Sequence, residues 1–493
     1  MYGKIPTKKR RTGQKDYGTT SSNFVQGDST RHITDPVEKL MSDSPKDIGL
    51  NSGARSVDQL FLGKLVTDEE GGVTFQTVID LQGSAFRFTH FVLYQSIYDP
   101  CMKLNVYVQD SARLTERIGP NGLNGEEFIK FKLNSPLRHD NQSIDLLFHV
   151  RNVSPFKTDH ARTTSGYMLE CATKEKIISD SININKYFNK TESDVAQTIF
   201  DKELIGSGNY KYFKGAGSDI WKERHVNVDE SFGVDDIIIP GLTPLESLTR
   251  MARLSWGGPL YKGSFYTFFE TPEGFQFANI EKRIEQNKRI GANFVIDPFA
   301  HAKKSRSIHN YRTVQRYSSL HVKPGSKKIN NGTFGHAVRT VDYIKKKHND
   351  TTFLLDETYN QFTHTGNISN FSTAFFELFG KKNLHQYTIP IDSTAPESNA
   401  DQIIGQRHVF KDLMTTAQIS IIVYGDVTIK AGDCVGLTMP ETGTQAYRDK
   451  SIYSGTWFVI GVEHSVDQQK MNTKLHLSKS GITNKHDDIP IEG

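Results

Sequence analysis

Two stretches carry most of the fold. Residues 421–437 read Ile421-Ile422-Val423-Tyr424-Gly425-Asp426-Val427-Thr428-Ile429-Lys430-Ala431-Gly432-Asp433-Cys434-Val435-Gly436-Leu437. Residues 454–464 read Ser454-Gly455-Thr456-Trp457-Phe458-Val459-Ile460-Gly461-Val462-Glu463-His464. In the first, short apolar alternations are cut by Gly425-Asp426, by Gly432-Asp433 and, further on, by Pro440-Glu441-Thr442-Gly443, which predicts antiparallel strands joined by turns. In the second, Thr456 to Ile460 is an almost unbroken apolar run, as expected of a strand covered on both faces. Thr473, Leu475 and Leu477 then alternate with Lys474, His476 and Ser478, the pattern of a last strand with one wet face.

Working outward, the 493 residues allow several domains, each able to bury its own core. A formal charge of +4 with 24% charged residues is near balance, so any binding to an anionic partner must be local. Cys101, Cys171 and Cys434 are odd in number and far apart, which predicts buried, reduced thiols and assembly in a cytoplasm. No run approaches the ~20 apolar residues that span a bilayer, and residues 1–20 lack the apolar stretch of a signal peptide, so neither membrane insertion nor export by that route is expected.

Residues 1–53 are poor in large apolar side chains and read as an extended N-terminal arm. Lys8, Lys9, Arg10 and Arg11 could contact an anionic partner there, with a solvated tail as the simpler reading. Residues 54–175 alternate as short strands: Leu60, Leu62 and Leu65; Val73, Phe75 and Val78; Phe86, Phe88 and Phe91; Leu104, Val106 and Val108; Phe128 to Lys132; Ile144, Leu146 and Phe148; Tyr167, Leu169 and Cys171. A β-sandwich or barrel is expected.

Residues 176–370 read as mixed α/β. Helical spacing starts at Thr191, and a second helix starts at Thr243-Pro244-Leu245-Glu246, where Thr243 and Glu246 form a capping box. Phe265 to Phe277, turning at Thr271-Pro272-Glu273-Gly274, reads as a hairpin. Cations crowd residues 301–347, among them Lys303, Lys304, Arg306, Arg312, Lys323, Lys328, Arg339 and Lys347; either an anionic partner or a solvated surface fits. Residues 401–416 read as a helix that delivers the chain to the strands of 421–481, and residues 482–493 read as a polar tail.

No metalloprotease helix, zinc-spaced Cys/His tract, nucleophile elbow or phosphate loop is present, so no catalytic, metal or cofactor residues are expected. Asp426 and Asp433 could face a cation, but Gly-Asp pairs are common where a turn needs a permissive glycine and a capping carboxylate. His464 reads as a hydrogen-bonded structural histidine. Asp229, Glu230, Asp235 and Asp236 read as an acidic loop.

Several motifs occur in a telling order: Ile238-Ile239-Pro240-Gly241-Leu242 before the Thr243 helix; the Phe265 to Phe277 hairpin; Asn331-Gly332-Thr333-Phe334-Gly335 leading to Val341-Asp342; the two Gly-Asp pairs; and Ser454-Gly455-Thr456-Trp457 running to His464. In this order the chain resembles the baseplate central hub proteins of contractile-tailed, T-even-like bacteriophages, over residues 56–481. The resemblance implies a mixed α+β, β-rich chain: two antiparallel β-barrel tube domains, 54–175 and 371–481, flank inserted α/β domains at 176–370. It implies a homotrimeric ring that adapts the six-fold tail tube to the three-fold central spike around an axial channel. The partners it implies are the spike, the tail tube or tube initiator, the tape measure protein and baseplate wedge proteins, with DNA passing unbound. The setting it implies is the virion tail baseplate and host cell entry. Gly425, Gly432 and Gly455 become turn and close-approach positions, and Trp457 to Val462 a strand buried in the ring. Two other readings are a tail-associated cell-wall hydrolase, separable by peptidoglycan release, and a nucleic-acid-binding protein, separable by salt-dependent DNA binding.

Overall fold

The computed structural model describes residues 57–67, 73–83, 86–110, 123–135, 143–157, 165–208, 210, 224–287, 292–296, 312–342, 346–366, 373–380, 385–391, 400–440, 451–467 and 470–482. The arm with Lys8, Lys9, Arg10 and Arg11, residues 301–311 of the basic span, and the tail 483–493 lie outside these residues.

The first block is β1 (Val57–Thr67), β2 (Val73–Asp80), β3 (Phe86–Ser96), β4 (Lys103–Asp110), β5 (Phe128–Asn134), β6 (Ser143–Lys157) and β7 (Ser165–Thr173). Their order is β2-β1-β5-β6-β7-β4-β3, every pair antiparallel. Alternation puts Leu60, Leu62, Phe91, Leu93, Val106, Phe131, Phe148 and Leu169 in one core. At the ends of this run Phe88 N donates to Leu81 O at 2.8 Å, but no ladder joins β2 to β3 among the described residues.

Next come α1 (Lys174–Asp180), β8 (Ile184–Lys190), α2 (Glu192–Thr198, continued by a wider helical turn Ile199–Ile205), β9 (Val226–Val228) and β10 (Asp235–Leu242). They are followed by α3 (Pro244–Leu254), β11 (Tyr266–Thr271), β12 (Gly274–Asn279) and α4 (Ile280–Asn287). Thr243 Oγ1 accepts from Glu246 N while the Glu246 carboxylate accepts from Thr243 N, so both halves of the capping box are made. β11 and β12 pair from Tyr266↔Asn279 to Thr271↔Gly274, and every residue of both strands is buried. Their aromatic faces join α2 and α3 in a second core.

The chain continues with β13 (Asn293–Val295), β14 (Arg316–Tyr317), β15 (His321–Val322), α5 (Gly325–Asn330), β16 (Gly335–Asp342), β17 (Lys347–Leu354) and β18 (His385–Ile391). The last elements are α6 (Ala400–Met414), β19 (Ala417–Tyr424), β20 (Cys434–Thr438), β21 (Gly455–Asp467) and β22 (Met471–Lys479). β17, β16 and β18 make a separate three-stranded sheet. β19, β22, β21 and β20 make the second block, and the short strands β13, β14 and β15 add to it from earlier in the chain. β21 also pairs with β3, so both blocks belong to one continuous sheet. The structure is thus β-rich and mixed α+β, with several antiparallel sheets.

The basic span is not one surface. Lys323 pairs with Asp412, Arg339 pairs with Asp350 at 2.7 Å, and Lys328 is buried, its amine pushed down to about 8 by desolvation. The acidic loop is divided as well. Asp235 and Asp236 open β10, whereas Asp229 binds Lys282 at 2.6 Å and accepts from Asn279 N at 2.9 Å.

Candidate functional site: the strand shared by two sheets

β21 is built so that one strand serves three cores. Trp457 and Val459 face the second-block core, while Phe458 points the other way, toward Phe410 and Phe265 in a core formed with α4 and α6. A bulge between Val459 and Gly461 then shifts the register by one residue, so the covered positions change from 457 and 459 to 462, 464 and 466. Val466 lands in the first-block core. Trp457 is fully buried, and its indole donates to Tyr453 O at 3.0 Å.

The polar centre of the seam is His464. It is fully buried, with Nδ1 3.0 Å from Thr473 Oγ1 and Nε2 3.4 Å from the Gln95 amide. Burial pushes its pKa down to about 4, a shift that the Asp426 charge partly opposes, so the ring is neutral at pH 7. Thr473 Oγ1 in turn accepts from Asp426 N at 2.9 Å, and Gln95 Oε1 accepts from Ala431 N at 3.2 Å. Three strands, β3, β21 and β22, therefore hold the loop 425–433 through a buried chain of hydrogen-bonded side chains.

The loop's own residues complete the lock. Asp426 Oδ1 accepts from Thr428 N at 2.9 Å and from Thr428 Oγ1 at 2.6 Å; Asp433 Oδ2 accepts from Lys430 N at 2.9 Å. Burial pushes the Asp433 carboxyl up, against the pull of the Lys430 amide and charge. A side chain at Gly425 would come within 2.5 Å of Met471 Cγ, and Gly432 and Gly455 take φ of +90° and +119°. Gly425, Asp426, Gly432, Asp433 and His464 thus lie around one seam. Thr243 and Glu246 stand apart on α3, and among the described residues no group of three metal-ligating side chains occurs.

Sequence reasoning does not single out Gln95 and Thr473, yet they carry the contact. The signal available is parity: Gln95 shares a face with Phe91 and Leu93, so it lies where an apolar residue is expected.

A second polar junction ties the β11–β12 hairpin to the first block. Glu270 Oε1 pairs with Arg224 at 2.7 Å, and Oε2 accepts from Thr173 Oγ1 at 2.6 Å and from Met102 N at 2.9 Å. Arg224 also donates to Thr271 O and Pro272 O, both at 2.8 Å. Burial pushes the Glu270 carboxyl up, and Arg224 with these hydrogen bonds pulls it back.

No known family matches the sequence, and no curated protein sequence matches it. Among solved structures, a 43 kDa tail protein of prophage MuSo2 from Shewanella oneidensis is similar at TM-score 0.48 and 10% identity, covering 86% of this chain and 99% of that one. A tail protein from Neisseria meningitidis MC58 is similar at TM-score 0.46 and 12% identity, covering 86% and 97%. An E. coli type VI secretion component, described as structurally similar to T4 bacteriophage tail proteins, is similar at TM-score 0.38 and 9% identity, covering 81% and 74%. Two of these three are described as tail proteins and the third as a secretion-system component with structural similarity to tail proteins.

Proposed function

We propose that this chain is a structural hub of a contractile phage tail, a homotrimer whose two β-blocks per copy together present a six-fold face to the tail tube and a three-fold face to the central spike. The observation that carries this reading is the seam: β3 and β21 fuse two β-blocks into one continuous sheet, so that a single chain offers two tube-like units in a fixed relation. Three copies then supply six units. In this reading each block closes as a barrel only within the ring, and the axial channel passes the tape measure and DNA without specific binding. No bond is made or broken in this role.

Ring closure needs heterologous contacts, and a sheet edge is a natural place for them. The hairpin β1–β2 runs past the end of β5: β1 pairs with β5 only as far as Gly63, while its pairing with β2 continues to Thr67. Val66 on this extension is 40% exposed, and Val78, at the irregularity opposite Leu62 and Gly63, is 45% exposed. Burying them against a neighbouring copy would remove apolar surface that a monomer leaves wet.

Native mass spectrometry and negative-stain imaging of the purified chain test the reading. The expected result is a trimer with a three-fold ring and near six-fold features; a stable monomer across the accessible concentration range would overturn it.

A further inference from the structure

β6 carries one residue more than β7 pairs with. His149 faces Ala172 and Val150 faces Cys171; the next pair is Asn152 with Glu170, so Arg151 between them has no cross-strand residue. The same bulge shows in the packing. Phe148 and Val150 enter the first-block core at even positions, whereas beyond the bulge Val153 packs against that core at an odd one. A bulge re-aims the side chain it inserts, and here that side chain is a guanidinium.

Arg151 and His149 line a pocket of about 110 Å³ between the β6–β7 ladder and α1. Ala172 and Ile177 are its apolar lining. Thr173 lines it too, but its hydroxyl is committed to Glu270 Oε2 at 2.6 Å. Lys176 and Asp180, one helical turn apart on α1, complete the lining and pair with each other.

His149 Nε2 lies 2.9 Å from Gly125 O; a carbonyl only accepts, so Nε2 carries the proton and Nδ1 of the neutral ring is left as an acceptor. Burial lowers the pKa of this imidazole against the pull of the Gly125 carbonyl, and the Arg151 charge lowers it further, while Glu127 and Asp180 act upward. Glu127 is itself held by Lys64 at 3.4 Å. Among the described residues no carboxylate pairs with Arg151, and Asp180 is taken by Lys176. Two cations and one carboxylate leave the pocket one positive charge in excess. A monoanion matches that balance, and a planar carboxylate matches the guanidinium fork. A dianion such as phosphate would leave a negative charge over, beside Asp180.

We propose that the pocket between the Arg151 bulge and α1 binds a single carboxylate group, held by the Arg151 guanidinium and the Lys176 ammonium with His149 beside it. Its volume is that of about four waters of liquid, enough for one such group and little else. The site stands apart from the seam and does not depend on the trimeric reading.

NMR on the full chain, labelled with carbon-13 at histidine Cε1, tests this; the His149 signal is the one lost in His149→Gln. Sodium acetate is titrated in at constant ionic strength, with sodium chloride making up the balance. The expected result is a saturable shift of the His149 signal, half-complete at about 10 mM as suits an open site. The pH midpoint of that signal should also rise, because a bound anion favours the imidazolium. Arg151→Gln should weaken the binding about fivefold, and Arg151→Lys, which keeps the charge and loses the fork, should weaken it less. Both variants should keep the thermal midpoint of the native chain. Tighter binding of a glutamate blocked at both backbone ends than of acetate would place the carboxylate on a polypeptide side chain; the reverse order would make it a free small acid. The proposal is overturned by the absence of any saturable shift, by a shift that survives Arg151→Gln unchanged, or by inorganic phosphate binding more tightly than either carboxylate.

Discussion

At the scale of the residue, His464 couples protonation to the seam. A buried neutral imidazole whose pKa is near 4 in the fold and near 6.5 when exposed contributes stability that is fully present above pH 6.5. That stability is lost as pH falls through 4, and the shift corresponds to about 3 kcal/mol. Glu281 works in the other sense. It is buried and accepts from Gly263 N at 2.9 Å and Thr363 N at 2.8 Å; burial raises it to about 7, so its contribution is present at low pH and lost as pH rises through 7. Urea midpoints measured from pH 4 to 6.5 should therefore rise more steeply in the native chain than in His464→Gln. Equal slopes would remove His464 as the acid-sensitive group. Strand alternation marks position 464 as structural, and Thr473 faces it across the β21–β22 pairing, but Gln95 lies far away in sequence and no local pattern links it.

At the scale of the element, the β11–β12 hairpin is legible in the sequence: its two-residue turn at Pro272-Glu273 and its aromatic runs define both strands. What the sequence hides is that Glu270 enters a dry site against Thr173, Met102 and Arg224. A buried ion pair can be replaced by apolar residues at small cost, whereas removing one member strands the other. Glu270→Leu alone should thus destabilise the chain by ~3 to 5 kcal/mol, while Arg224→Met with Glu270→Leu should recover most of that loss. Denaturant unfolding of the two variants decides the matter, and a double variant no better than the single one would show that the loss is one of packing.

At the scale of the molecule, the β-rich and mixed α+β character is legible because period-two alternation and turn residues are local signals. The way strands from distant segments join one sheet is not. β13, β14 and β15, from residues 293–322, pair with β20 and β19, while β18 pairs with β16 instead. If three copies close into a ring, assembly should stabilise the fold by mass action, and the thermal midpoint should rise with protein concentration. A midpoint constant over a hundredfold dilution would mean that each copy's fold is complete on its own.

The sequence alone determined where this chain turns, which stretches alternate as strands, where α3 is capped, and that Trp457 to Val459 is covered on both faces. These are properties of neighbouring residues, set by backbone preference and side-chain period. Only the tertiary structure decided that β21 lies between two blocks. It also decided that a one-residue bulge between Val459 and Gly461 brings His464 inward and that Glu270 and Arg224 meet in a dry site. Such outcomes depend on which distant edges and charges are brought together when water is excluded, and that choice is made by the packing of the whole chain.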